Sequence, residues 1–238
     1  MDVIVQLIPL AIGVILSPLA IMALVAELLS RRNRINGVAY AVGWTLSIVV
    51  TLALASWLFV ALDVRGVHAM PVWVSVVRLV LGVFLVVAAV WIYRRGAAHT
   101  RQMAAASSPQ DVVAAAPQLP GWLKAVENFT PVRSFFLGFG IFLFNPVDAS
   151  CAILAALTVV ASSLSFSASV GILACFAVIG VLPILLPVLL VLVRGSGADP
   201  FLHQVRAWIG SHTSALNAAF VLVIGVLQLQ KALNAFIG

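Results

Sequence analysis

A chain of 238 residues that is 63% hydrophobic, 8% charged and formally +6 leaves no room for a soluble domain of useful size. Its apolar runs of about 20 residues suit a helical protein that crosses a hydrocarbon core. The basic excess is explained by membrane topology rather than nucleic-acid binding, and Cys151 and Cys175, both inside apolar runs, give no secreted disulfide framework.

Hydropathy predicts six spans, at 3–28, 36–60, 72–93, 135–160, 166–193 and 214–236. The first has no basic leader and no small-residue cleavage pattern, so it is expected to be a span rather than a removable signal. Ser17-Pro18 interrupts it. Proline lacks an N–H and clashes with the preceding turn, yet suits the first position of a new helix behind a capping residue. The third span is followed by 96–120, rich in Ala, Ser, Gln and Pro, which reads as a flexible linker. Residues 121–129, with Trp122 and Phe129, have apolar positions at helical spacing and suit either a short interfacial helix or an irregular lead-in. In the fourth span Asn145-Pro146 repeats the interruption. Pro183 and Pro187 predict a bend in the fifth span.

Arg31, Arg32, Arg34, Arg94, Arg95, Arg101, Lys124, Arg133, Arg194 and Arg206 fall on one side of this plan, ten of the thirteen basic residues. The positive-inside rule makes that side cytoplasmic and puts both termini outside. Arg78 and Lys231 are then near the outer surface, where long stems allow them to snorkel into the headgroups.

The two halves align internally. Ser17-Pro18 matches Asn145-Pro146, Tyr40-Ala41-Val42-Gly43 matches Phe176-Ala177-Val178-Ile179-Gly180, and Leu81-Gly82-Val83 matches Ile224-Gly225-Val226. Three spans per half is an odd number, so the repeats have opposite orientations. The expected fold is an all-α membrane protein of six transmembrane helices, built as two inverted three-helix repeats with broken first and fourth spans. Residues 1–95 and 135–238 form the repeats, and 96–134 is the cytoplasmic connection. Interrupted spans in inverted repeats commonly hold a transport site near the midplane.

The runs Leu16-Ser17-Pro18-Leu19-Ala20-Ile21, Leu28-Leu29-Ser30 and Gly37-Val38-Ala39-Tyr40-Ala41-Val42-Gly43-Trp44, with the Ala/Pro-rich linker and Asn145-Pro146, resemble the GAP family. This is a lipid-addressing group of actinobacterial membrane proteins within the LysE-type exporter superfamily. The resemblance implies a six-span inverted-repeat protein of the bacterial plasma membrane that exports glycolipids or related envelope amphiphiles, in a superfamily that otherwise exports amino acids and ions. It also implies partners in the bilayer itself, a lipid or small-molecule substrate, and a homo-oligomer or an envelope-lipid export complex. Where members of the group carry Lys and Asn after Asn-Pro, Val147 and Asp148 stand here.

The candidate substrate site comprises Ser17, Pro18, Asn145 and Pro146, because the opening N–H groups of each half-helix lack partners and carry its positive dipole end. Asp148 and Glu27 are the candidate coupling groups. A carboxylate at membrane depth faces a cavity or a partner. Asp148, three residues after Asn145, also fits a capping box, in which it would reach back to the cap N–H. Glu27 also fits an interfacial ion pair with the Arg31, Arg32 and Arg34 cluster. Gln228, Gln230, Thr45, Ser47 and Thr51 either line the path or bond between helices. An enzymatic alternative, a transmembrane thiol oxidoreductase, needs two sulfurs in reach of each other, and Ala23 stands at the repeat equivalent of Cys151. No metal site is expected, because His68, His99, His203 and His212 lie in or beside loops. No P-loop and no cofactor motif is present.

Overall fold

The computed structural model describes residues 3–29, 33–62, 72–105, 129–162 and 164–237. The helices among them are α1 (Val3–Ile15), α2 (Pro18–Leu28), α3 (Asn33–Ala61), α4 (Val72–Ala105), α5 (Pro131–Phe144), α6 (Pro146–Val160), α7 (Phe166–Arg194) and α8 (Asp199–Ile237). A 3-10 turn, Gly195–Ala198, joins α7 to α8, and Gly195 takes a φ of 59° that favours glycine there. Four helices, α3, α4, α7 and α8, are each long and apolar enough to cross a membrane. The pairs α1/α2 and α5/α6 are bent by 45° and 68°, and the total is six spans if each bent pair is one.

Local chemistry accounts for the helix starts. Pro18, Pro131 and Pro146 stand at the first positions of α2, α5 and α6. Thr130 and Ser165 cap α5 and α7 by accepting from the Arg133 and Ala168 N–H groups. Pro183 and Pro187 lie inside α7, which runs unbroken through both.

Two extents differ from the hydropathy reading. Helix α4 continues to Ala105, so the first ten residues of the expected linker are helical, and α8 begins at Asp199 rather than at 214. Hydropathy marks the hydrocarbon slab, whereas a helix of good formers carries on into water until something stops it. Residues 106–128, which contain the rest of the linker, Lys124 and most of the expected interfacial helix, lie outside the described residues. So do Arg31, Arg32, Arg65 and His68.

The inner halves of the bent pairs form the core. Twelve of the fifteen residues of α6 are buried, so it faces protein on nearly every side. Helices α1, α3, α5 and α7 surround it. In α2, Ala20, Ala23, Leu24, Val25 and Leu28 are fully enclosed. Glycine permits the closest crossings: a Cβ at Gly43 would strike the Phe135 carbonyl, and one at Gly138 would strike that of Tyr40, so α3 and α5 touch backbone to backbone. Helices α4 and α8 meet likewise, Gly82 against Gly225. Gly37 and Gly180 are also at packed contacts, whereas Gly171 faces open space.

Candidate functional site

The two helix breaks, 128 residues apart in sequence, meet in the core. Ser17 Oγ donates to Asp148 Oδ2 at 2.8 Å, and Asn145 Nδ2 donates to the same oxygen at 2.7 Å. Asn145 Nδ2 also lies 3.2 Å from Ser17 Oγ, closing a three-residue polar cluster. Asp148 is fully enclosed and Ser17 is 3% exposed. Asp148 Oδ1 has no hydrogen-bond partner. The sequence-predicted residues of the two breaks are thus brought together, through a carboxylate in the first turn of α6 and a hydroxyl at the start of α2.

The capping geometry differs from expectation. Asn145 does cap α6, its Oδ1 accepting from the Val147 N–H at 3.2 Å. Its own N–H is spent on the Ile141 carbonyl at the end of α5, so Asp148 cannot close a capping box and binds the Asn145 side chain instead. Ser17 makes no side-chain cap bond to α2. Its hydroxyl is turned across the interface instead, donating to Asp148 and accepting from the Asn145 amide.

Glu27 is also fully enclosed, and neither carboxylate oxygen accepts a hydrogen bond. The expected interfacial ion pair is therefore not what the described residues show. Arg34 points outward, exposed, while Glu27 turns inward to face the Ser134 and Asn36 side chains. Ser134 Oγ donates to the Thr130 carbonyl at 3.2 Å, and Asn36 Nδ2 spends one of its two N–H groups on that of Phe129 at 3.0 Å. The first turns of α3 and α5, which carry Asn36 and Ser134, bring two positive dipole ends toward the carboxylate.

Tyr40 lies within electrostatic reach of both carboxylates. Its hydroxyl donates to the Ala20 carbonyl at 2.9 Å, which ties α3 to the start of α2. Trp44, one turn on, donates to the Gly180 carbonyl at 3.2 Å and packs edge-on against Phe142 at 5.0 Å. Tyr40 and Trp44 were visible in the sequence only as part of a repeated run. The signal was there: a tyrosine in the middle of an apolar span must find a partner for its hydroxyl.

The remaining candidates are placed as follows. Thr45 bonds to its own helix at the Ala41 carbonyl, and the Ser47 and Thr51 hydroxyls are buried without a hydrogen-bond partner. Gln228 is buried, 3% exposed. Cys151 is buried in α6 and Cys175 is exposed on α7, both as free thiols. Among the described residues no three His, Cys, Asp or Glu side chains converge as metal ligands would.

An apolar groove of about 860 Å³ opens beside the polar cluster. Leu19, Phe84, Trp91, Phe136 and Phe144 line it, together with Asn145-Pro146-Val147. Asn145 therefore has one face on the groove and hydrogen bonds to Ser17 and Asp148.

A family model described as Sap, sulfolipid-1-addressing protein, matches residues 7–234. No curated protein and no solved structure matched the chain.

Proposed function

The chain belongs to the sulfolipid-1-addressing protein family, and from that premise we propose that it translocates an envelope lipid or related amphiphile, headgroup and tail moving together, across a bacterial plasma membrane. One observation carries this reading: the apolar groove is lined in part by Asn145, the residue whose side chain also contacts Asp148 and Ser17. An amphiphile needs a dry channel for its chain adjoining a polar station for its head. The groove volume, about 860 Å³, lies within the roughly 300–1,000 Å³ range of small-molecule sites.

The proposed mechanism is alternating access between two inverted three-span repeats, 1–95 and 135–238, as in LysE-type exporters, with both termini outside and 96–134 in the cytoplasm. The Ser17–Asn145 contact and the Gly82–Gly225 contact support it, because each joins two positions that the internal alignment pairs. Asp148 and Glu27 are the proposed coupling groups. Their unpartnered oxygens support that role, since a buried acceptor without a donor is costly and gains from a proton or cation. The protein's task is to bind and move its substrate, without catalysis.

Reconstitution tests the proposal. Proteoliposomes are loaded with a labelled sulfated glycolipid, a labelled amino acid or an alkali cation, and movement of each is followed. The expected result is lipid movement that stops when the groove is blocked. Movement of the amino acid or ion alone would replace this reading with a small-solute exporter.

A further inference from the structure

Two cations on the opposite side of the bundle from the Glu27 carboxylate were expected to snorkel into the headgroups, and one does not. Arg78 in α4 is 7% exposed, and its Nε is enclosed with no hydrogen-bond acceptor. Lys231 in α8 lies half-buried within electrostatic range of it and donates to Gln6 Oε1 of α1 at 2.6 Å. Polar side chains of three helices thus share one electrostatic neighbourhood. At a rise of about 1.5 Å per residue, Arg78 stands roughly 9 Å from the start of α4 and Lys231 roughly 9 Å from the end of α8, at matching depth from one membrane face.

Like charges held together out of water repel and cost free energy unless a counter-charge joins them. None of the three described carboxylates supplies it. Asp148 and Glu27 lie in the core cluster, and Asp199 begins α8, at the other end of that helix from Lys231. An enclosed guanidinium with an unused N–H, beside an ammonium, has the donor set for a tetrahedral oxyanion.

We propose that Arg78, Lys231 and Gln6 form a binding site for an oxyanion ester, a sulfate or phosphate group, borne by an amphiphile whose chain lies along the apolar outer face of α4. The identity of the carrier rests on the lipid-translocation reading; the oxyanion site itself does not.

The test is equilibrium binding in phosphatidylcholine nanodiscs, read as thermal stabilisation of the full chain by mass action. The probes are galactosylceramide, the same lipid bearing a sulfate ester, and inorganic sulfate. The sulfated lipid is expected to raise the melting temperature while its neutral parent does not. Arg78→Gln and Lys231→Gln should each weaken that response by about tenfold or more, the scale of one charge-assisted hydrogen bond. Arg78→Lys should restore part of it, and Arg133→Gln, an exposed change at the start of α5, should leave it intact. Equal responses to the two lipids, or an undiminished response in both Gln variants, would overturn the site. A response to inorganic sulfate equal to that of the sulfated lipid would overturn the lipid-borne assignment. Because nothing need be transported, a protein that binds the sulfated lipid but moves none keeps this site and loses only the transport reading.

Discussion

Replacing Asp148 separates a charge role from a structural one. Its Oδ2 accepts at 2.8 Å from Ser17 and at 2.7 Å from Asn145, while Oδ1 accepts nothing. An asparagine can put its carbonyl oxygen where Oδ2 stands and its NH₂ where Oδ1 stands, so Asp148→Asn keeps both bonds in uncharged form and is expected to fold. Asp148→Ala removes both. Asn145 retains its 3.2 Å contact with Ser17 Oγ, but the Ser17 hydroxyl becomes a buried donor without an acceptor. One orphaned donor and one further lost hydrogen bond together cost on the order of 2–4 kcal/mol. That exceeds the ~1 kcal/mol of a simple helix cap. Both variants are melted in detergent, then reconstituted, and lipid movement is measured with and without an imposed pH gradient. Asp148→Ala should melt several degrees lower. Asp148→Asn should melt near wild type and lose the pH-gradient dependence. A gradient dependence in Asp148→Asn as large as wild type refutes coupling through this carboxylate, and an unchanged melting temperature in Asp148→Ala refutes the hydrogen-bond accounting.

Glu27→Gln removes an enclosed charge whose oxygens have no partner, so its melting temperature should match or exceed wild type while gradient-driven transport falls; a marked loss of stability would show that the carboxylate is structurally paired. Gly43→Ala and Gly138→Ala each drive a methyl into a facing carbonyl and should cost about 1–3 kcal/mol by thermal melting, whereas Gly171→Ala, in open space, should be silent. At Gly140 an added Cβ makes only ordinary contact with the Phe144 ring, so Gly140→Leu should fold, narrow the groove and slow lipid movement; full activity would exclude the groove as the tail path. Cysteines placed at Ser162 should react with an impermeant reagent in intact cells and those at Arg34 should not; the reverse pattern would invert the proposed topology.

The helix breaks were legible because their cause is local. A proline without an N–H behind Ser17 or Asn145 ends one helix and starts another whatever surrounds it. What these residues bond to was not legible, because the partner of Ser17 comes from 131 residues away and displaces the local cap geometry. Arg78 shows the same limit from another side. Hydropathy gives its depth in a span but not which helices enclose it, and snorkelling is available only to a side chain that faces lipid. Glu27 was open to a coupling role or to an ion pair with the cations nearest in sequence, and sequence distance does not tell that Arg34 is exposed while the carboxylate is fully enclosed. Helix α4 and helix α8 outran their predicted spans because apolar patterning measures the membrane, while helix length is decided by where the chain meets a stop.

The backbone contact of Gly82 with Gly225 has a mechanical side. It fuses α4 and α8 into a two-helix slab, and this slab is the most extensive helix pairing in the bundle. Its other contacts among the described residues are smaller: α8 touches α1, α2 and the 3-10 turn, α4 has a small contact with α6, and Trp73 of α4 stacks on Phe59 of α3. The groove lies between α4 on one wall and α5 on the other, two helices that scarcely meet. Tilting the slab therefore changes the width of the groove mouth while the backbone crossing of α3 on α5 and the bond between Ser17 and Asp148 stay as they are. In the proposed transport cycle, lateral entry of lipid and any change at the buried carboxylates therefore draw on different contacts, and a substitution at one set leaves the other in place.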